Sequence, residues 1–134
     1  WLVRSKPIND KDRLNILNLQ TDEMEECLMR LKEKGKIKTA FSFPYSLPFA
    51  KEVIKLKQID GIISYLNIQE EDYSEFANTV PFVAIRPFFR GELLKNGDKN
   101  QKINDCLNFI DSHNKVLSKV ISINSIEQAS SFKQ

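Results

Sequence analysis

The sequence predicts an α/β domain of about five mainly parallel strands alternating with helices. Three observations predict it. Short apolar runs bounded by turn residues recur along the chain, stretches with apolar residues at i, i+3, i+4 and i+7 separate them, and the alternation persists through all 134 residues. Such alternation implies β-α-β units and a parallel sheet.

The first expected strand spans 14–20, where Leu14-Asn-Ile-Leu-Asn-Leu is short, apolar-rich and halted by Gln20-Thr21-Asp22. Asp22 with Glu25 three residues on reads as a capping box, and Met24, Cys27, Leu28 and Leu31 then mark one helix face. Lys32, Lys34 and Gly35 suit the end of that helix in charge and conformation. Residues 37–43 form the second expected strand. Ser46 caps the next helix, Pro48 sits in its first turn, and Phe49, Val53 and Leu56 are its buried face.

Residues 61–66 are the third expected strand, followed by a helix over 70–77 with Tyr73, Phe76 and Ala77 inward. Residues 82–86 make a fourth, closed by Pro87, and a loop carries Arg90-Gly91 and Asn96-Gly97-Asp98. A helix over 101–112 then aligns Ile103, Cys106, Leu107 and Ile110, and 119–123 is the fifth strand. Ser125, with Gln128 three residues on, opens a last helix. A doubly wound open sheet and a partial TIM-barrel-like arrangement both satisfy this order. A whole barrel takes about 250 residues, and the chain supplies little more than half of one.

Composition narrows the function. Lys and Arg number 20 against 18 Asp and Glu, a net charge of +2 that is too weak a field for non-specific nucleic-acid binding. No apolar run approaches the roughly 20 residues that span a bilayer. The opening Trp-Leu-Val-Arg is no signal peptide, so the expectation is a cytoplasmic single α/β domain, a fragment or C-terminal domain of a longer protein. Cys27 and Cys106, each on an expected apolar helix stripe, read as buried reduced thiols, and a single His leaves a zinc site few ligands.

Three segments carry a resemblance. Leu31-Lys-Glu-Lys-Gly-Lys-Ile-Lys38 running to Ser42, Ile85-Arg-Pro-Phe-Phe-Arg-Gly-Glu-Leu-Leu94, and Val120-Ile-Ser-Ile-Asn-Ser-Ile-Glu-Gln128 come in the order and spacing of the C-terminal half of an aldo/keto reductase barrel. From about Leu14 onward the chain resembles that family. The resemblance implies NADPH chemistry, but its residues depart from the pattern. The family's catalytic Tyr, Lys and Asp belong to the half this chain lacks. Gln20 stands where the resemblance expects the catalytic His, Phe43 where it expects the amide-binding Asn beside Ser42, Ile62 for the partner Gln, and Ile85 for the stacking aromatic. The resemblance therefore implies a domain that has lost reductase activity and serves as a binding or structural module, with no catalytic residue and no cofactor of its own. The alternatives are half of a working NADPH-dependent reductase, or a small α/β domain for a phosphorylated or nucleotide ligand.

The remaining candidates for ligand binding are Ser42, Arg86, Arg90 and Ser125. Ser42 could donate to a carboxamide, or simply be a solvated hydroxyl. Arg86 and Arg90 flank the turn where phosphate sites are common in barrels, and Ser125 would add a helix N-terminus for a phosphate-bearing small molecule. Their structural alternative is Arg86 paired with a carboxylate and Arg90 solvated. Tyr65 reads as a rim packing residue or an acid, His113 as a residue favoured by a helix C-terminus, and one of Phe88 and Phe89 as exposed or covering a cleft. Lys32, Lys34, Lys36 and Lys38 read as a solvated turn. Five strands cannot close a barrel, so a homodimer or docking against another domain of the parent protein is expected.

Overall fold

The computed structural model describes residues 9–123 and 125–130. In chain order its elements are α1 (Asp10–Glu33), β1 (Phe41–Ser42), α2 (Leu47–Val53), β2 (Gly61–Tyr65), α3 (Ser74–Thr79), β3 (Phe82–Ile85), an irregular 3-10 segment (Phe89–Leu94), α4 (Lys99–Asp111), β4 (Val116–Val120) and α5 (Ile126–Ser130). The described strands form one sheet in the order β1-β2-β3-β4, and every pairing is parallel. The α/β alternation is as expected, with four strands in place of about five.

The missing strand is the stretch 14–20, which is helical. Asn9 caps α1 by accepting from the Asp12 N–H at 2.9 Å, with Asp10 and Asp12 favourably placed in the first turn. Leu14, Leu17, Thr21, Met24, Leu28 and Leu31 recur at alternating intervals of three and four, and all are buried or half-buried. That stripe runs straight through the supposed strand end and capping box. Leu17 is locked into a cluster with Phe49 and Val53 of α2, flanked by Leu14, Met24, Leu56 and Ile59. Glu25, freed from capping, accepts from the Lys57 and Gln58 N–H groups. Cys27 lies about 100° around the helix from Leu28, off the stripe, and is exposed; Cys106 is buried as expected, and burial pushes its thiol up.

α1 ends as its sequence dictates. Gly35 takes φ +64°, and the Gly35 and Lys36 N–H groups return to the Lys32 and Leu31 carbonyls at 2.9 Å. Ser46 caps α2 by accepting from the Phe49 N–H, with Pro48 in the first turn. Lys32 is drawn out of the lysine run to Asp60 at 2.7 Å. The Lys32 ammonium, then the Ala40 N–H, hold the Asp60 carboxyl below its usual range.

Strand register separates two sides of the sheet. Ile62 pairs with Phe82 and Ser64 with Ala84 on one side; Ile63 pairs with Val83 and Tyr65 with Ile85 on the other. Ala50 of α2, Phe76 and Ala77 of α3 and Ile110 of α4 all pack onto Ile62, Phe82 and Ala84. No core cluster of the described residues includes Ile63, Val83 or Ile85. β4 lies at 116–120, earlier than the expected 119–123, because Val116 pairs with Phe82 and a bulge then brings Ser118 opposite Val83. The skipped Leu117 is exposed. A doubly wound sheet would carry helices on both faces; this one is compatible with a partial barrel-like arrangement.

Candidate functional site

In a parallel sheet with intervening helices, ligands gather at the C-terminal ends of the strands. Here those ends carry the sequences Ser42-Phe-Pro-Tyr45, Tyr65-Leu-Asn67 and Ile85-Arg-Pro87. Asn67 ties two of them together and is completely buried. Its Oδ1 accepts from the Gln69 and Glu70 N–H groups at 3.0 Å, which is the local turn that Asn favours. Its Nδ2 donates to Glu70 Oε2 at 2.7 Å and to the Arg86 carbonyl at 3.0 Å. The end of β2 is thereby fastened to the end of β3.

Arg86 is held on three sides. Its Nη1 lies 3.4 Å from Glu70 Oε1, its guanidinium carbon lies 3.8 Å from the centre of the Tyr65 ring, and its carbonyl is taken by Asn67. The ring contact is short enough for a real cation–π attraction. The Tyr65 ring meets Phe43 edge-on at 5.5 Å, and Phe43 meets Tyr45 edge-on at 5.2 Å. The Arg13 guanidinium stands 5.1 Å from the Tyr45 ring. An aromatic strip capped by a guanidinium at each end thus crosses the ends of β1, β2 and β3.

The turn after β3 is conformationally strained. Arg86 at φ +59°, Phe89 at +45° and Arg90 at +59° are all left-handed without being glycine. Each such residue costs on the order of 1 kcal/mol or more. Phe88 is buried with Ile103 and Cys106 of α4, while Phe89 is only half-buried, so the two adjacent rings do separate as expected.

Three of the four candidate residues, Ser42, Arg86 and Arg90, lie at or just beyond these strand ends. Arg86 is paired with a carboxylate and Arg90 is exposed, the arrangement of the structural alternative. Ser42 sits in β1, two strands away from β3, opposite Ile62. Ser125 opens α5, whose described part is five residues, too short to lend a strong helix dipole. His113 lies at the opposite, N-terminal end of the sheet, with Nδ1 3.0 Å from the Phe109 carbonyl.

Two positions carried over from the resemblance stand elsewhere than a rim. Gln20 is an exposed residue in the middle of α1, and Ile62 is fully buried under the helices. Phe43 and Ile85 do stand at strand ends. The residues the sequence reading passed over are Asn67 and Glu70. A signal was present: an Asn directly after an apolar strand and three residues before an acid is a side-chain-bonded turn. Comparison with known proteins found no protein-family model, no curated protein and no solved structure that matches the chain. No helix among the described residues is long and apolar enough to cross a membrane.

Proposed function

We propose that this chain is an aldo/keto reductase-like half-barrel that has lost reductase activity and works as a structural and binding module. One observation carries the reading: helices cover one side of the sheet, while the side bearing Ile63, Val83, Ile85 and the exposed Val120 packs into no core cluster of the described residues. β1 and β4 are its two edges, and closure of a parallel barrel takes eight strands. A second copy related by a twofold axis along the strands brings β4 of one copy beside β1 of the other with all eight strands parallel. The purified chain is expected to sediment as a dimer at tens of micromolar. A compact monomer at every concentration, binding no apolar dye, would sink the docking part of the reading.

The loss of reductase activity is supported by Phe43 and Ile85 standing at the strand ends where the resemblance expects an amide-binding Asn and a stacking aromatic. Hydride transfer needs the nicotinamide carbon held against the substrate with a proton donor in reach. Titration with NADPH, followed by fluorescence, is expected to give no micromolar binding, and aldehydes are expected to be turned over no faster than in buffer. A second reading, a phosphate-bearing ligand at Arg86, Arg90 and Ser125, is favoured by the left-handed turn that presents the exposed Arg90. Micromolar NADPH binding without turnover, lost in Arg90→Ala, would establish that reading in place of the first. Binding with turnover would restore the working reductase.

A further inference from the structure

Between the ends of β1 and β2 and the start of α3 lies a cavity of about 290 Å³. That is near the lower bound of small-molecule pockets, about 300 Å³, and suits a ligand of few atoms. Its walls include the rings of Phe43, Tyr45, Tyr65 and Tyr73, together with Ser64 and Asp72. Phe43 stands at 87° to Tyr45 and at 78° to Tyr65, so its ring makes a near-perpendicular corner with each tyrosine. Aromatic faces carry negative potential, and a corner of such rings attracts alkylammonium groups. The protein already uses two of these rings that way, with Arg86 on Tyr65 and Arg13 on Tyr45.

Charge points to the same kind of ligand. Arg86 has Glu70 at 3.4 Å and Arg13 has Asp10 at 3.7 Å, so each guanidinium is balanced by its own carboxylate. Asp72 is the one charged residue of the lining, and it forms no ion pair among the described residues. The Tyr73 hydroxyl, which donates to the Pro44 carbonyl at 3.2 Å, is held above the usual phenol range, by burial first and then by the Asp72 and Asp10 charges, against the opposing pull of Ser64 and Arg13. Ser64 is 1% exposed, and its Oγ lies buried beside the Tyr73 hydroxyl rather than open to the cavity.

We propose that this cavity binds a small organic cation of the alkylammonium class. The site stands on the rings and Asp72, and does not depend on whether the open sheet face docks against another copy.

Choline is the probe, with 3,3-dimethylbutan-1-ol as its uncharged isostere. Ligand-observed NMR on the whole chain is expected to show millimolar or tighter choline binding, with the isostere at least tenfold weaker. Asp72→Asn, at an exposed position, is expected to weaken choline about threefold with the unfolding midpoint unmoved, and Tyr45→Leu to weaken it about tenfold. Equal binding of choline and its isostere would overturn the proposal, as would no binding of choline at all, or choline binding indifferent to Tyr45→Leu and Asp72→Asn.

Discussion

Gly61→Ala is expected to destabilise the chain by about 3 kcal/mol, at the upper end of what overpacking a core costs. A Cβ at this position would lie 2.2 Å from the Pro81 carbonyl oxygen and 2.5 Å from Phe41 Cε1. The first of these cannot give way cheaply. Pro81 O accepts the Ile62 N–H at 2.9 Å as β2 enters the sheet beside β3, so the carbonyl is fixed by the pairing it starts. Phe41 pairs with Gly61 across β1 and β2, and pushing its ring aside strains a strand of only two residues. Denaturant unfolding at matched protein concentration measures the loss. A midpoint within about 0.5 kcal/mol of the parent, the ordinary scatter of surface changes, would show that the β1–β2 contact is looser than described.

Asn67→Ala is expected to cost a comparable amount, about 3 kcal/mol, for a different reason. Truncation abandons the Gln69 N–H group, the Arg86 carbonyl and one Glu70 oxygen around a fully buried side chain, while the Glu70 N–H keeps the main-chain carbonyl of residue 67 at 3.0 Å. Each buried polar group left unmatched costs about 1 to 3 kcal/mol, offset where water enters. Asn67→Asp keeps the acceptor for the two N–H groups but loses both donated bonds and sets a second carboxylate against Glu70. It is therefore expected to be destabilised at neutral pH and to recover partly as acid protonates the pair. If Asn67→Ala unfolded with the parent's midpoint, the tie between β2 and β3 would be ornamental, and Arg86 would need another explanation for its left-handed backbone.

Much of the architecture is written locally. The α/β order, the strands at Gly61–Tyr65 and Phe82–Ile85, the Ser46 cap, the Gly35 stop and the inward faces of α3 and α4 follow from apolar spacing and terminal residues alone. These signals act over three or four residues, the range in which a cap or an apolar period is decided. Leu14 to Leu19 is harder, because a short apolar run satisfies both strand and helix periods. The deciding fact is that the three-and-four spacing continues unbroken to Leu31, and that Phe49 and Val53 wait for Leu17 on α2.

The rim is legible only in fragments. Arg86 and Tyr65 were visible as candidates, but they are 21 positions apart, and the ring beneath the guanidinium exists only because β2 and β3 pair with Tyr65 opposite Ile85. Glu70 and Asn67 join them through a local turn whose partner, the Arg86 carbonyl, comes from the next strand. The register of β4 is likewise set by Phe82 and a bulge, which no pattern within 116–123 announces. By itself the sequence determined where the chain turns helical or extended and which faces are apolar, since those depend on neighbours along the chain. Which strand end meets which, and so which charges and rings share the rim, was decided only by the parallel pairing of strands far apart in sequence.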